Sequence, residues 1–377
     1  MQAHPPSPLD APWRAQCEAL QQHAMPSGST VVSCPAPYGA GGLGRHLKEL
    51  ADASGRRGQR AVCLCAPALR GSPPAASPFV RELPVRGRAG PLERLARLSP
   101  SWRNLRRSVV FDRNAARQLP QAEHLLAFNG QALEQLGAAK RAGYHSLSLV
   151  AANPHLRRLL RQHELAHRQY PLEGTWATHL LRRNLKEYAR AQRIYVASRY
   201  TWESFVEEGV PERMLSLFPL TPDPRFTRGQ ESPGVSTFDV VFVGRLCVTK
   251  GVPLLVDAIA RLAHPDLRLV LVGGWSSRGM RRFLERARAR DARIEIGPGD
   301  PLPRLRDAAL LAHPAYEDGF AYAPAEALAC GVPVLVSEDT GMKELIEPGV
   351  NGAVLPTGDL NALTEAIDAA YRGEMLR

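Results

Sequence analysis

Between Asp239 and Val336 five short apolar runs recur: Asp239–Val243, Leu267–Val272, Arg293–Ile296, Leu310–His313 and Pro333–Val336. Helical patterns separate them, at Val252–Leu262, Gly279–Arg290, Pro303–Ala308 and Ala323–Ala329. Runs apolar on both faces, joined by connections too long for hairpins, leave few folds open. They predict a doubly wound parallel sheet covered by helices on both sides. An amphipathic helix, Leu360–Tyr371, closes the chain.

The first half repeats this grammar less cleanly. Thr30–Cys34, Arg60–Cys65, Leu125–Asn129 and Tyr144–Ala151 read as strands. Leu43–Ala53, with Leu43, Leu47 and Leu50 on one stripe, and Gln131–Arg141 read as helices, and Ala66–Pro78 as a long loop. From Pro171 to Gly209 the pattern is helical, broken by a short strand at Arg193–Ala197, and Ser198 is the expected N-cap of the helix that follows. A chain of 377 residues exceeds one comfortable core. The proline-rich, aperiodic span Pro219–Pro233 is the natural linker. The expected division is a frayed or locally packed extension (1–28), a first domain (29–220), a linker (221–234), a second domain (235–358) and a final helix (359–377) packing back toward the first domain.

The formal charge is +11, which favours anionic partners: nucleic acid, phosphorylated substrates or an acidic membrane surface. No zinc-finger spacing, aromatic RNA-binding strand or basic zipper supports nucleic acid. No apolar run nears the ~20 residues needed to span a bilayer, and the first residues lack the pattern of a secretory signal. The six cysteines, Cys63 and Cys65 included, read as small buried hydrophobes of a reducing cytoplasm, with neither a zinc site nor a disulfide framework.

Two stretches carry the chemistry. VVFVGRLCVTK ends a strand in a glycine turn, where Gly244 permits a bend, Arg245 offers a donor fork and Lys250 a mobile point charge. HPAYEDGFAYAPAEALACGVP places Asp318 in a loop, with Gly319 to bend it, and Glu326 among small residues on a helix. A cationic pair and two carboxylates suit a diphosphate flanked by hydroxyl-rich groups; Glu326 would accept from a ribose. The plainer alternatives are a solvated basic loop and acids that merely favour a helix dipole. His313 either lines the same crevice or is a core histidine. In the first half, backbone N–H groups at Gly41 and Gly42 could approach a diphosphate, without the strict dinucleotide or P-loop pattern. His155 follows a strand and could polarise a substrate hydroxyl. The basic segments around Trp102, Arg103, Arg106 and Arg107 and around Arg157, Arg158 and Arg161 either lie on anionic lipid or cover the core as ordinary helices. An open α/β sheet places its ligands at the carboxyl ends of the strands, so the crevice between two such domains is the expected site.

The pairing of VVFVGRLCVTKGVPLLVDAIARL with HPAYEDGFAYAPAEALACGVPVLVSEDTGMKELIEPGVNGAVLPTGD resembles the retaining, GT-B-fold glycosyltransferases of family 4. The resemblance is strong over residues 238–370 and looser at PYGAGGLGRHLKELA, NPHLRRLLRQHE and AQRIYVASRYTWESFVEEGV. It implies two Rossmann-like domains facing each other across a cleft. Arg245 and Lys250 match the pair that holds the donor diphosphate, and Glu326 the second glutamate of the E-x7-E signature, which meets the ribose. Asp318 stands at the first position, where glutamate is usual and contacts the donor sugar; Glu317, one residue earlier, competes for that role. Phe320 keeps the motif, whereas Ala321 and Thr340 replace common glycines. Gly341 and Glu344 match a conserved turn of the family, His155 its active-site histidine, and Gly41 and Gly42 its glycine pair.

The resemblance therefore implies a hexosyltransferase that moves a sugar, with retention, from a UDP- or GDP-sugar to a saccharide or lipid-linked acceptor. It implies no metal and no tightly bound cofactor. Arg245, Lys250, Asp318 and His155 would serve catalysis, and the site would lie on a cytoplasmic protein, peripheral at the membrane's cytoplasmic face. The alternatives are a nucleotide-sugar hydrolase or epimerase-like enzyme of the same fold, or a catalytically weak carbohydrate- or nucleotide-binding protein.

Overall fold

Every strand in the described residues runs parallel to its neighbours. The computed structural model describes residues 9, 11–59, 61–68, 79–85, 100–174, 178–229 and 237–376. Most of the expected Ala66–Pro78 loop and part of the expected linker lie outside them. The chain forms two compact units: residues 16–158 with 174–220, and residues 221–377 with 1–15 and 159–173. We call these the N-terminal and C-terminal units.

Among the described residues the N-terminal unit holds seven strands: β1 (Thr30–Pro37), β2 (Ala61–Ala66), β3 (Val80–Glu82), β4 (His124–Phe128), β5 (Ser146–Ala151), β6 (Arg193–Val196) and β7 (Leu215–Leu217). Their order is β3-β2-β1-β4-β5-β6-β7. The helices up to this point are α1 (Ala11–Ala24), α2 (Gly41–Arg56), α3 (Pro100–Arg117), α4 (Leu133–Arg141), α5 (Leu156–Gln169), α6 (Thr178–Tyr188) and α7 (Arg199–Glu207). The expected extension is thus largely a helix, tied down where Gln21 Nε2 donates to the Pro219 carbonyl at 2.7 Å and Tyr195 Oη to that of Ala24 at 2.9 Å. Ser198 caps α7 as expected, its hydroxyl accepting from Thr201 N at 3.1 Å. Leu47 and Leu50 are buried, but Leu43 is 39% exposed, a correction to the expected stripe: it sits in the first turn of α2, beyond the cover of the core.

The C-terminal unit holds β8 (Phe238–Val243), β9 (Leu267–Val272), β10 (Ile294–Gly297), β11 (Leu310–His313), β12 (Val334–Ser337) and β13 (Gly352–Leu355), ordered β10-β9-β8-β11-β12-β13. Its helices are α8 (Val252–Arg261), α9 (Arg278–Arg290), α10 (Pro301–Arg306), α11 (Tyr322–Ala329) and α12 (Leu360–Tyr371). Val240, Phe242, Leu269 and Leu310 share one face of the sheet and build a core there with Leu255 and Ile259 of α8. Helix α12, expected to reach toward the first domain, places Leu363 and Ile367 in this same core. Its Asp359 cap accepts from Asn361 N and Ala362 N. All six cysteines are free and buried. Burial pushes the Cys63 thiol up to about 12 and that of Cys65 to about 11, which makes them packing groups rather than nucleophiles. No helix among the described residues is long and apolar enough to cross a membrane.

Candidate functional site

In the C-terminal sheet the strand order reverses between β8 and β11. Successive connections leave toward opposite faces there, so a crevice opens at the carboxyl ends of those two strands. The two stretches singled out in the sequence follow these strands. Gly244 ends β8 at φ +145°, and Gly251 caps α8 at φ +70°. A Cβ at Gly251 would stand 1.9 Å from the Pro314 carbonyl oxygen, so the turn and the β11 loop approach as closely as only glycine allows. Arg245 is exposed, and no side chain among the described residues bonds its guanidinium.

Lys250 and Asp318 are brought together. Lys250 Nζ donates to Asp318 Oδ2 and to the Glu317 carbonyl, both at 2.8 Å. His313 Nε2 lies 3.1 Å from the same Asp318 oxygen, while its ring stacks on Phe242 at 5.7 Å. A carboxylate accepts, so the imidazole donates from Nε2, while Nδ1 is buried and makes no hydrogen bond among the described residues. Burial pushes the Asp318 carboxyl up, but Lys250 and His313 outweigh it and hold the group well below the usual carboxylate range. Burial works against charge on Lys250 too, yet Asp318 and Glu317 hold the ammonium above its ordinary value. Both are therefore ionised across the physiological range.

Glu317 is turned elsewhere. Its carboxylate is buried, with His163 Nε2 at 3.5 Å; against the burial cost, Lys250 and then His163 keep it below its ordinary value. The geometry thus separates the two competing acids, Asp318 toward Lys250 and Glu317 toward His163. Gly319 and Phe320 are buried, and Phe320 packs edge-on against Tyr322 at 5.3 Å. Ala321, at φ 69°, is the only non-glycine with positive φ among the described residues, a backbone conformation that glycine adopts without strain. Glu326 lies on α11 at 2% exposure. The Gly341 amide donates to the Asp318 carbonyl at 2.9 Å, so it braces the loop. Glu344 is exposed.

Sequence reasoning missed the segment from Leu159 to Glu173, which crosses several loops of this unit. Gln162 donates to Asp339 at 2.9 Å, Tyr170 Oη to Asp257 at 2.8 Å, and Gln169 to the Gly358 carbonyl at 3.2 Å. Glu173 accepts from Val248 N at 2.8 Å and from the Ser276 hydroxyl. These partners lie 75 to 189 positions away in sequence, and no local pattern marks them. The basic helical stripe was the only visible signal.

The N-terminal unit places the remaining candidates. Gly41 opens α2 at φ +61°, exposed with Gly42, and a Cβ at Gly41 would meet nothing within 4 Å. Gly44 is the demanding position, since its Cβ would stand 2.0 Å from the Pro37 oxygen. His155 is 3% exposed, its ring 4.8 Å from Tyr188 and 5.2 Å from Phe205, and its Nδ1 accepts from Arg157 N at 3.4 Å. It is part of that unit's packing and stands immediately before α5, whose first turn it meets through Arg157 N. The side chains of Trp102 and Arg103 lie outside the described residues.

Residues 226–377 match the family model described as glycosyl transferases group 1. A D-inositol 3-phosphate glycosyltransferase of Mycolicibacterium paratuberculosis is 31% identical over 142 residues, 35% of this chain and 32% of that protein. The chain thus spans about a third of the length of the curated relatives it matches. In fold, the sucrose-phosphate synthase of Thermosynechococcus elongatus superposes with a TM-score of 0.69 at 19% identity, covering 92% of this chain and 90% of that one. Anabaena HepE in complex with UDP-glucose gives 0.65 at 18%, covering 92% and 91%. The two parallel-sheet units are those of the GT-B fold.

Proposed function

We propose, from the GT-B fold and the family match of residues 226–377, that the protein transfers a sugar from a nucleoside diphosphate sugar to a saccharide or lipid-linked acceptor. The observation that carries this reading is the ionised Lys250–Asp318 pair with His313, beside the open Arg245, at the strand-order reversal. In this reading Arg245 and Lys250 offset the charge that grows on the leaving diphosphate, as preorganised donors do. Asp318 holds a hydroxyl of the donor sugar, Glu326 the ribose, and Gly41 and Gly42 offer amides to the diphosphate or the acceptor. His155, buried as it is, orients α5 through its first turn. A structural neighbour that holds UDP-glucose supports a nucleotide-sugar donor; in this reading the nucleotide is UDP or GDP.

Retention follows if the acceptor hydroxyl attacks from the face the diphosphate leaves. The bond from the anomeric carbon to the diphosphate breaks, the bond to the acceptor oxygen forms, and a diphosphate oxygen takes the proton. No protein nucleophile and no metal enters this scheme. The +11 charge and the basic α3 and α5 support an anionic acceptor, or a peripheral position on the cytoplasmic membrane face. Incubation with UDP- and GDP-sugars and an acceptor panel, read by mass spectrometry and anomeric NMR, tests the reading. Absence of transfer with every donor that binds would instead favour a weakly catalytic binding protein, a reading supported by the engagement of Asp318 with Lys250 and His313. Release of free sugar or of an epimer would favour the hydrolase or epimerase alternative.

A further inference from the structure

The turn that follows β8 is laced to the one that follows β9. Leu246 N donates to the Gly274 carbonyl and Ser276 N to the Leu246 carbonyl, each at 2.9 Å, which pairs Leu246 with Trp275 as an isolated parallel bridge. Gly273, at φ +154°, makes the contact close: its Cβ would stand 1.8 Å from the Gly244 oxygen. Glu173 bonds both turns at once, through Val248 N and the Ser276 hydroxyl. The backbone of Trp275 is therefore fixed beside the turn that carries Arg245.

Its side chain is only partly covered by the fold. Trp275 is 46% exposed, the highest value among the exposed large hydrophobics of the described residues. The Arg281 guanidinium lies 5.3 Å from the ring centroid, and Arg281 Nε is in turn held by Glu285 at 2.7 Å. A loop tip with no packing task is ordinarily polar, because an exposed indole forgoes the gain of burial. Here a large flat apolar group is kept in water, oriented from the backbone side by a bridge and from the side-chain side by a cation.

The place along the sheet indicates the occupant. In the order β9-β8-β11, Asp318 and His313 come from the β11 side, Arg245 from β8 and Trp275 from the β9 side. A nucleoside diphosphate sugar is elongated, with the diphosphate between its sugar and its planar base. We propose that Trp275 is the stacking platform for the donor's nucleobase; this rests on the function proposed above. Stacking on an aromatic face tolerates any base, so Trp275 supplies affinity and position rather than the choice among uracil, guanine and adenine.

Calorimetric titration of the full chain with UDP, GDP and ADP, and with inorganic pyrophosphate as a probe that lacks a base, tests this. Trp275→Ala should bind the preferred nucleoside diphosphate roughly 5- to 100-fold more weakly and pyrophosphate as well as the unaltered protein does, while Trp275→Phe retains most of the affinity. Because the side chain is nearly half exposed, the thermal midpoint should stay within a few degrees, a check that both variants are folded. Unchanged nucleoside diphosphate affinity in Trp275→Ala would overturn the inference and leave the proposed function standing. Equal weakening of pyrophosphate would also overturn it, since Trp275 would then only shape the turn. If the unaltered protein bound no nucleoside diphosphate, the proposed function itself would fall, and the platform with it.

Discussion

Arg245 and Lys250 share a turn but not an energetic role. Lys250 satisfies Asp318 and a backbone carbonyl, with the two side chains 22% and 19% exposed, whereas Arg245 is exposed and its guanidinium bonds no side chain among the described residues. Lys250→Ala should therefore lower the unfolding free energy by about 1–3 kcal/mol, because Asp318 loses its cation. Arg245→Ala should change it by less than about 0.5 kcal/mol while weakening donor binding by roughly 10- to 100-fold. Denaturant titration of both variants, with nucleotide binding measured on the same samples, checks this; equal stability losses would contradict it. The signs with pH follow from the directions. Asp318 is depressed, so its contribution is present above the unfolded carboxyl range near 4 and lost as pH falls through the folded value. Lys250 is raised, so its contribution is present below about 10.4 and lost as pH rises through the folded value. Ala321 carries a different cost. A left-handed alanine is strained by about 1–2 kcal/mol, and glycine relieves that at an entropic cost of about 0.5–1. Ala321→Gly should raise stability by roughly 0.5–1 kcal/mol in thermal unfolding, and a fall would show that the methyl's packing outweighs the strain.

Among the elements, the start of α4 is the least ordinary. Its amides are capped not by a neighbouring side chain but by carboxylates from elsewhere in the chain: Asp112 accepts from Glu134 N and Gln135 N at 2.8 and 3.0 Å, Glu187 from Gly130 N and Ala132 N at 2.5 and 3.0 Å. Arg183 bridges the two acids. Burial pushes the Glu187 carboxyl up to about 7, against the two amides and Arg183 that favour its charge. A raised acid binds its proton in the folded state where the unfolded chain has released it, so stability should decline as pH rises from about 4.5 to about 7. Glu187→Gln should make that decline shallower in denaturant titrations across the window; an unaltered slope would place the titration elsewhere. None of this cap was legible in the sequence, since its partners stand 22 to 57 positions apart. The same holds for the three-residue strands β3 and β7, too short for any periodicity to register. What could be read was what depends on neighbours. The apolar runs behind β8, β9 and β11 emerged almost to the residue, and the cap at Ser198 was visible because its acceptor and donor lie three positions apart.

At the scale of the whole molecule, the stretches that carry the proposed chemistry are far apart in sequence and are joined by the sheet. Gly244–Gly251 and His313–Ala321 were legible as motifs because each has its own residue types. That they meet follows only from β8 and β11 being neighbours in a sheet whose order reverses there. Trp275 and Glu173 escaped notice because their importance lies in being tied to that meeting point. This grouping predicts where a donor should be felt. A nucleoside diphosphate at about 100 times its dissociation constant stabilises the state that binds it by about 2.7 kcal/mol, so amides whose opening would release it should exchange up to ~100-fold more slowly. Hydrogen exchange with and without UDP or GDP should therefore show added protection at 244–251, 273–276 and 313–321, while β2 and β3 stay as they were. Protection spread evenly over both units would mean that the ligand acts by some route other than these three loops. Protection confined to β2 and β3 would move the nucleotide away from the turn that carries Arg245.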